Sequence, residues 1–289
     1  MTSIERPATS DQRPATSDKS ERSGDPDSSG QPASSHDFIL IVEDNADVRE
    51  YVRQHLADRY RVIEAKDGED GFIKAHEYIP DLIISDVMMP KVDGYELARK
   101  IRNDELTSHI PIIMLTAKAG EEEKLEGLET GVDAYLIKPF STKELQVRVR
   151  KLIEMRRKLR QQTGTKAMLS PSQARVSSMD QEFLQKVREI IEKNMEEEDF
   201  SVDDLAAKAN IGMRQLQRKL KALTDASPQQ CIRSMRLQRA KQLLEQKAGT
   251  VSEIAFQVGY GDVTAFSKAF RTEYGQSPSE MIPGKEKQK

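Results

Sequence analysis

Five short apolar runs punctuate the first half of the chain. They are Phe38-Ile39-Leu40-Ile41-Val42, Arg61-Val62-Ile63-Glu64-Ala65, Leu82-Ile83-Ile84-Ser85, Ile112-Ile113-Met114-Leu115 and Ala134-Tyr135-Leu136-Ile137. Apolar stretches of this length fit strands buried on both faces. Helical patterns separate them, at Ala46 to Leu56, Gly68 to Tyr78, Gly94 to Arg102 and Glu121 to Glu129. Strands alternating with helices predict an α/β, doubly wound domain with a five-stranded parallel sheet.

A long helix is expected to begin near Ser141, a capping residue, and to run past Leu159. Leu145, Val149, Leu152 and Leu159 fall near heptad spacing, but Arg156 interrupts the seam, which favours packing on the helix's own sheet over a dimerising coiled coil. Gln161 to Ser178 reads as a linker. From Met179 onward the pattern is helical throughout, with Phe183, Val187, Ile190 and Ile191 on one face. Short helices follow at Val202–Ala209, Met213–Leu223, Pro228–Glu245, Val251–Val258, Val263–Tyr274 and Pro278–Met281, broken by Gly and Pro. The expected organisation is therefore a tail (1–36), an α/β domain (37–160), a linker (161–178) and an all-α domain (179–289).

Composition adds three constraints. Residues 1–36 are rich in Ser, Pro, Asp and Gly, repeat Arg-Pro-Ala-Thr-Ser-Asp at 6–11 and 13–18, and bury almost nothing, so disorder is expected there. One cysteine, Cys231, excludes an internal disulfide. No apolar run approaches the roughly 20 residues that span a bilayer, and the N-terminus lacks the apolar core of a signal peptide, so the expectation is a soluble cytoplasmic protein without membrane contact. Charge is uneven. Residues 37–147 hold 14 Lys and Arg against 24 Asp and Glu, a net -10, whereas residues 201–289 hold 15 against 9, a net +6. The acidic half suits a metal ion and the basic half suits nucleic acid.

In open α/β sheets, ligands bind beyond the carboxyl ends of the strands. Those ends here carry Glu43 and Asp44, Asp86, Thr116, and Lys138 before Pro139. Three carboxylates converging at one edge repel each other unless a cation sits among them, and hard oxygen ligands suit Mg²⁺. A carboxylate can act as nucleophile toward phosphorus. Lys138 and a metal would neutralise the phosphoryl oxygens, and the Thr116 hydroxyl could donate to another. The Lys138–Pro139 peptide is a candidate for the cis form. The histidines His36, His55, His76 and His109 are scattered and form no metal-ligand spacing.

Val42-Glu43-Asp44-Asn45, Asp86-Val87-Met88-Met89-Pro90, Leu115-Thr116-Ala117-Lys118 and Lys138-Pro139-Phe140 resemble the signature blocks of response-regulator receiver domains, over residues 38–160. The resemblance implies a flavodoxin-like, CheY-like fold with Asp86 as phosphoacceptor. It implies Mg²⁺ held by Glu43, Asp44, Asp86 and the Met88 carbonyl, phosphoryl sensing by Thr116 and Lys138, and Tyr135 as the aromatic that changes rotamer. Every one of these positions carries the family's residue type.

Two helix-turn-helix patterns occupy the basic half, Val202 to Thr224 and Ser252 to Tyr274, joined by the helix Pro228–Glu245. Leu216-Gln217-Arg218-Lys219-Leu220, Arg236-Leu237-Gln238-Arg239-Ala240, Ile254-Ala255-Phe256-Gln257-Val258-Gly259-Tyr260 and Phe266-Ser267-Lys268-Ala269-Phe270-Arg271 resemble the DNA-binding domain of the AraC family, over residues 180–283. Gly212 stands where that family has a capping Ser, and Asp225 where it has Gly, which puts that turn's geometry in question. Exposed positions near the start of each recognition helix would read bases: Arg214, Gln217 and Arg218 in the first, Val263, Thr264, Ser267 and Lys268 in the second. Lys219 and Arg271 would contact phosphates.

Together these resemblances imply a bacterial response regulator and transcription factor, with phosphorylation of Asp86 by a histidine kinase controlling DNA binding. Promoter DNA and RNA polymerase are the implied partners, and phosphorylation would act through homodimerisation or through release of the DNA-binding domain. Three alternatives stay open: the C-terminal portion of a hybrid sensor kinase, a phosphoryl sink whose helical half binds a partner, and a sugar-sensing AraC-type regulator, for which no cupin-like strand series precedes the helical half. An enzyme acting on external substrates is disfavoured, since the one reactive centre modifies the protein itself.

Overall fold

A computed structural model describes residues 37–117, 130–169 and 177–282. The tail 1–36 and the helix expected at Glu121 to Glu129 lie outside the described residues. Strands β1 (Phe38–Val42), β2 (Arg61–Ala65), β3 (Leu82–Asp86), β4 (Ile112–Thr116) and β5 (Ala134–Ile137) form one parallel sheet in the order β2-β1-β3-β4-β5. The register sets Val42 opposite Ser85, Ser85 opposite Met114 and Thr116 opposite Ile137, so the strands end together along one edge. Ile39 and Ile41 pack with Val52 and Leu56 of α1 (Ala46–Leu56), while Leu40 and Val42 pack on the opposite face with Leu97 and Ile101 of α3 (Gly94–Arg102). The two-residue alternation of the strand divides the run between two cores.

Local caps start the helices. Asn45 accepts from the Asp47 and Val48 amides at α1, and Asp67 accepts from the Asp70 amide at α2 (Gly68–Tyr78). The long helix α4 (Thr142–Leu169) is capped by Ser141, whose Oγ accepts from the Glu144 amide at 3.1 Å. Its Leu145, Val149 and Ile153 are buried against the sheet, so the near-heptad spacing is used within the chain. The helix then continues to Leu169, into the stretch read as a linker. Once anchored, adding residues to a helix costs little, and Gln161 to Leu169 contains no proline. Arg157 pairs with Asp37 at 3.0 Å and Arg160 with Asp81 at 3.7 Å, tying the helix across the amino-terminal edge of the sheet.

The second half is all α: α5 (Ser178–Asn194), α6 (Val202–Ala209), α7 (Met213–Thr224), α8 (Pro228–Glu245), α9 (Val251–Gln257), α10 (Val263–Tyr274) and α11 (Pro278–Met281). Capping boxes at Ser201/Asp204, Ser227/Gln230 and Thr250/Glu253 start α6, α8 and α9. Leu237, Leu243, Ile254, Phe266 and Phe270 form the core of α8 to α10. A separate buried cluster runs without a break from Leu97 and Ile101 of the sheet domain to Phe183, Leu216 and Leu220 of the helical half.

Candidate functional site

Glu43 and Asp86 follow from the sheet's construction: each ends, or directly follows, a strand whose four preceding residues are buried. Oxygen atoms of Glu43, Asp44 and Asp86 come within 4.8 Å of one another. Glu43 is 1% exposed and Asp86 8%, whereas Asp44 is open to solvent. Lys138 reaches in from β5, with Nζ 2.9 Å from Glu43 Oε2 and 2.9 Å from Asp86 Oδ1. Its backbone amide donates to the Thr116 carbonyl at 2.7 Å, and the Lys138–Pro139 peptide is cis. Burial pushes the Glu43 carboxyl above its ordinary value, and Asp86 pushes the same way against the Lys138 hydrogen bond. Burial alone would lower Lys138, but its bonds to Glu43 and Asp86 prevail and raise it. Thr116 is buried beside this edge, Tyr135 is half-buried on β5, and the Met88 side chain is 78% exposed.

In the helical half, α6 and α7 form one helix-turn-helix and α9 and α10 another. Asn210, in the left-handed region at φ 58°, ends α6. Gly212 starts α7 with no side chain to offer, and the Gln215 carboxamide oxygen accepts from its amide at 3.2 Å instead. Asp225 adopts φ 58° and ψ 9°, the left-handed geometry that a glycine usually supplies, and Lys221 bonds both its carboxylate, at 2.7 Å, and its carbonyl, at 2.8 Å. The turn therefore keeps its shape without the glycine.

Val263, Thr264, Ser267, Lys268 and Arg271 lie on α10, with Val263 and Ser267 half-buried and the other three exposed. The first recognition helix differs. Arg214 and Gln217 are exposed, but the Arg218 guanidinium donates to the Tyr78 carbonyl and lies over the Phe38 ring, 5.0 Å from its centroid. Burial and the neighbouring Arg214 lower its pKa. Lys219 has no exposure at all. It pairs with Asp180 and lies 3.1 Å from His109 Nδ1 and 3.4 Å from Ser108 Oγ. Burial lowers its pKa, and Asp180 opposes the shift.

Residues 39–150 match the family model described as a response regulator receiver domain, and residues 205–282 match one described as a helix-turn-helix domain. Residues 39–150 are thus a receiver domain and residues 205–282 a helix-turn-helix domain. Histidine kinase P4 of Formosa agariphila is 38% identical over 242 residues, which is 84% of this chain and 18% of that protein. The phosphate regulon transcriptional regulatory protein PhoB of Pseudomonas aeruginosa is 45% identical over 116 residues, 40% of this chain and 51% of its own length. The solved chemotaxis protein CheY4 of Vibrio cholerae is 34% identical, covers 41% of this chain and 99% of that chain, and aligns with a TM-score of 0.40. This chain thus spans between 18% and 51% of the two curated relatives named.

The receiver domain brings Glu43, Asp44, Asp86 and Lys138 together at one edge, with Thr116 and Tyr135 on the two adjoining strands. The helix-turn-helix domain departs from expectation at two positions: the Arg218 guanidinium is held by the Tyr78 carbonyl rather than left exposed, and Lys219 is enclosed rather than presented to a phosphate. Helical phase explains the second, since Lys219 lies three residues after Leu216 and one before Leu220, within the buried stripe of α7. The same phase was the available signal. Sequence reasoning also passed over Ser108 and Asp180 and took His109 only as one of four scattered histidines, whereas the three surround the Lys219 ammonium. No described helix is long and apolar enough to cross a membrane.

Proposed function

We propose that this chain is a response regulator and transcription factor of the AraC type, in which a histidine kinase phosphorylates Asp86 and the phosphoryl group governs binding to promoter DNA. The observation that carries the reading is the Lys138 ammonium set 2.9 Å from both Glu43 and Asp86, in a chain that also bears two helix-turn-helix units. The donor set fits a hard divalent cation: three carboxylates, no sulfur or nitrogen ligand, and one side open to solvent at Asp44. Glu43, Asp44, Asp86 and the Met88 carbonyl would hold Mg²⁺, which supplies positive charge to the phosphoryl oxygens when bound.

An Asp86 carboxylate oxygen attacks phosphorus as the bond to the donor imidazole breaks, and the imidazole nitrogen keeps the bonding pair and takes up a proton. Lys138, 2.9 Å from Asp86 Oδ1, neutralises the transferred group in this reading. The Thr116 hydroxyl and Tyr135 read its arrival. Arg214, Gln217 and Arg218 of α7, and Val263, Thr264, Ser267, Lys268 and Arg271 of α10, serve the DNA. Selection of genomic fragments by the purified chain, with and without Mg²⁺ and beryllofluoride, tests this. A shared motif whose enrichment rises on loading, and does not rise in Asp86→Ala, is the expected result. No motif in any state overturns the DNA reading, and a motif indifferent to Asp86 overturns the switch.

The match to a histidine kinase across both domains also supports a second reading, in which the pair forms the output end of a longer sensor protein. An antibody to the helix-turn-helix domain separates the two on cell extract: the first reading expects a band for a chain of this length, the second a band several times longer.

A further inference from the structure

We propose that the receiver clasps the first helix-turn-helix unit shut, leaving α10 alone free to meet DNA. The inference rests on reading α7 as a recognition helix, and concerns how that helix is controlled. Three neighbouring residues of α7, Gln215, Arg218 and Lys219, fall within a five-residue span and all meet the receiver. Gln215 Nε2 donates to the His76 carbonyl at 2.9 Å. Arg218 donates to the Tyr78 carbonyl and lies over the Phe38 and Tyr78 rings. Lys219, paired within its own domain to Asp180, is sealed by Ser108 and His109. Phe183, Leu216 and Leu220 share one buried cluster with Leu97 and Ile101 of the receiver, so this is packed interior rather than a grazing contact.

These contacts and DNA exclude each other on size. A helix with its side chains is about 10–12 Å across, and the major groove is about 12 Å wide. A helix seated there fills the groove, and nothing else can be hydrogen-bonded to side chains on its flanks. Arg214 and Gln217 are exposed, but Gln215 and Arg218 beside them are held by the receiver backbone. The second recognition helix carries no such contact among the described residues: Thr264, Lys268 and Arg271 are all open. The clasp lies at the amino-terminal ends of the strands, where Phe38 and His109 sit, whereas Asp86 ends β3 at the opposite edge. The two sites therefore act through the receiver rather than by touching. The closed chain would engage one major groove, and the open chain two, about 34 Å apart.

The test is footprinting of the full chain on a selected fragment, beside a chain carrying His76→Cys and Gln215→Cys bridged by a short bismaleimide. Cys231, the native cysteine, is buried. Unloaded wild type is expected to protect one half-site, and the beryllofluoride form two. Phe38→Ala, which removes the ring beneath Arg218, is expected to raise unloaded affinity roughly three- to tenfold and to extend protection without loading. The bridged chain is expected to stay at one half-site whatever occupies Asp86. Two half-sites protected by the bridged chain would overturn the clasp. If no form binds DNA, the recognition reading fails instead, and the clasp is judged by the bridge: a bridging yield that does not fall when Asp86 is loaded overturns it.

Discussion

Lys219 carries an ammonium into a site with no solvent exposure, and Asp180 makes that tolerable. Removing one partner strands the other, which costs about 3–5 kcal/mol, whereas replacing both by apolar groups is often neutral. Lys219→Met is therefore expected to destabilise the chain by about that amount, and Lys219→Met with Asp180→Leu to recover most of it, as read by urea unfolding. Equal losses in the single and double variants would show that the pair is not the source. His109 gives a second expectation. Burial, then the charges of Lys219, Arg156, Arg160 and Arg102, hold its pKa well below the usual imidazole range. Lys219 donates to its Nδ1, and Asp180 accepts from Ser108 next to it. A histidine whose folded pKa is depressed adds stability above its unfolded value, near 6.5, and loses it as pH falls toward the folded value. In the chain carrying His76→Cys and Gln215→Cys, bridging measured relative to the same chain with His109→Gln added, pH by pH so that the thiolate's own titration cancels, should thus weaken from pH 7.5 to pH 5.5. At this scale Glu43, Asp44, Asp86 and Lys138 were legible because each closes an apolar run. The burial of Lys219 was legible in the phase of α7, but its partners were not, because Asp180 and His109 are remote along the chain.

Elements were legible where pattern and punctuation agree. The five strands and the helices from α5 onward follow apolar spacing, capping boxes and glycines, all of them local signals. The stretch expected as a linker at 161–178 is helical as far as Leu169, because a polar segment without proline up to that point can extend a helix already anchored by Leu145, Val149 and Ile153. The two turn glycines separate local strain from packing. Gly259 has φ +79°, and a Cβ there would drive into the Met195 carbonyl and the Arg236 guanidinium; Gly275 has φ +74° with nothing within 4 Å. Gly275→Ala is expected to cost about 1–2 kcal/mol, the left-handed penalty alone, and Gly259→Ala clearly more. Thermal unfolding of both variants checks the order. Equal costs would mean that the α9–α10 turn can shift away from α5 and α8 without loss.

The arrangement of the two domains is the part that sequence pattern could not convey. An acidic receiver at -10 and a basic helical end at +6 suggest attraction without fixing a surface. The contacts that fix it, Gln215 to His76 and Arg218 to Tyr78, join residues that neither domain's periodicity distinguishes. The whole-molecule consequence is a change in salt dependence. Each phosphate neutralised contributes about -0.9 to the slope of log K against log salt. If each helix-turn-helix unit meets three or four phosphates, the slope should steepen from about -3 in the closed chain to about -6 once Asp86 is loaded. Phe38→Ala should approach the steeper value unloaded, because it opens the same surface by another route. Tighter binding at an unchanged slope would mean that loading improves the contacts of one unit without recruiting the second, and the control would then lie in α10 or in dimer formation rather than in the exposure of α7.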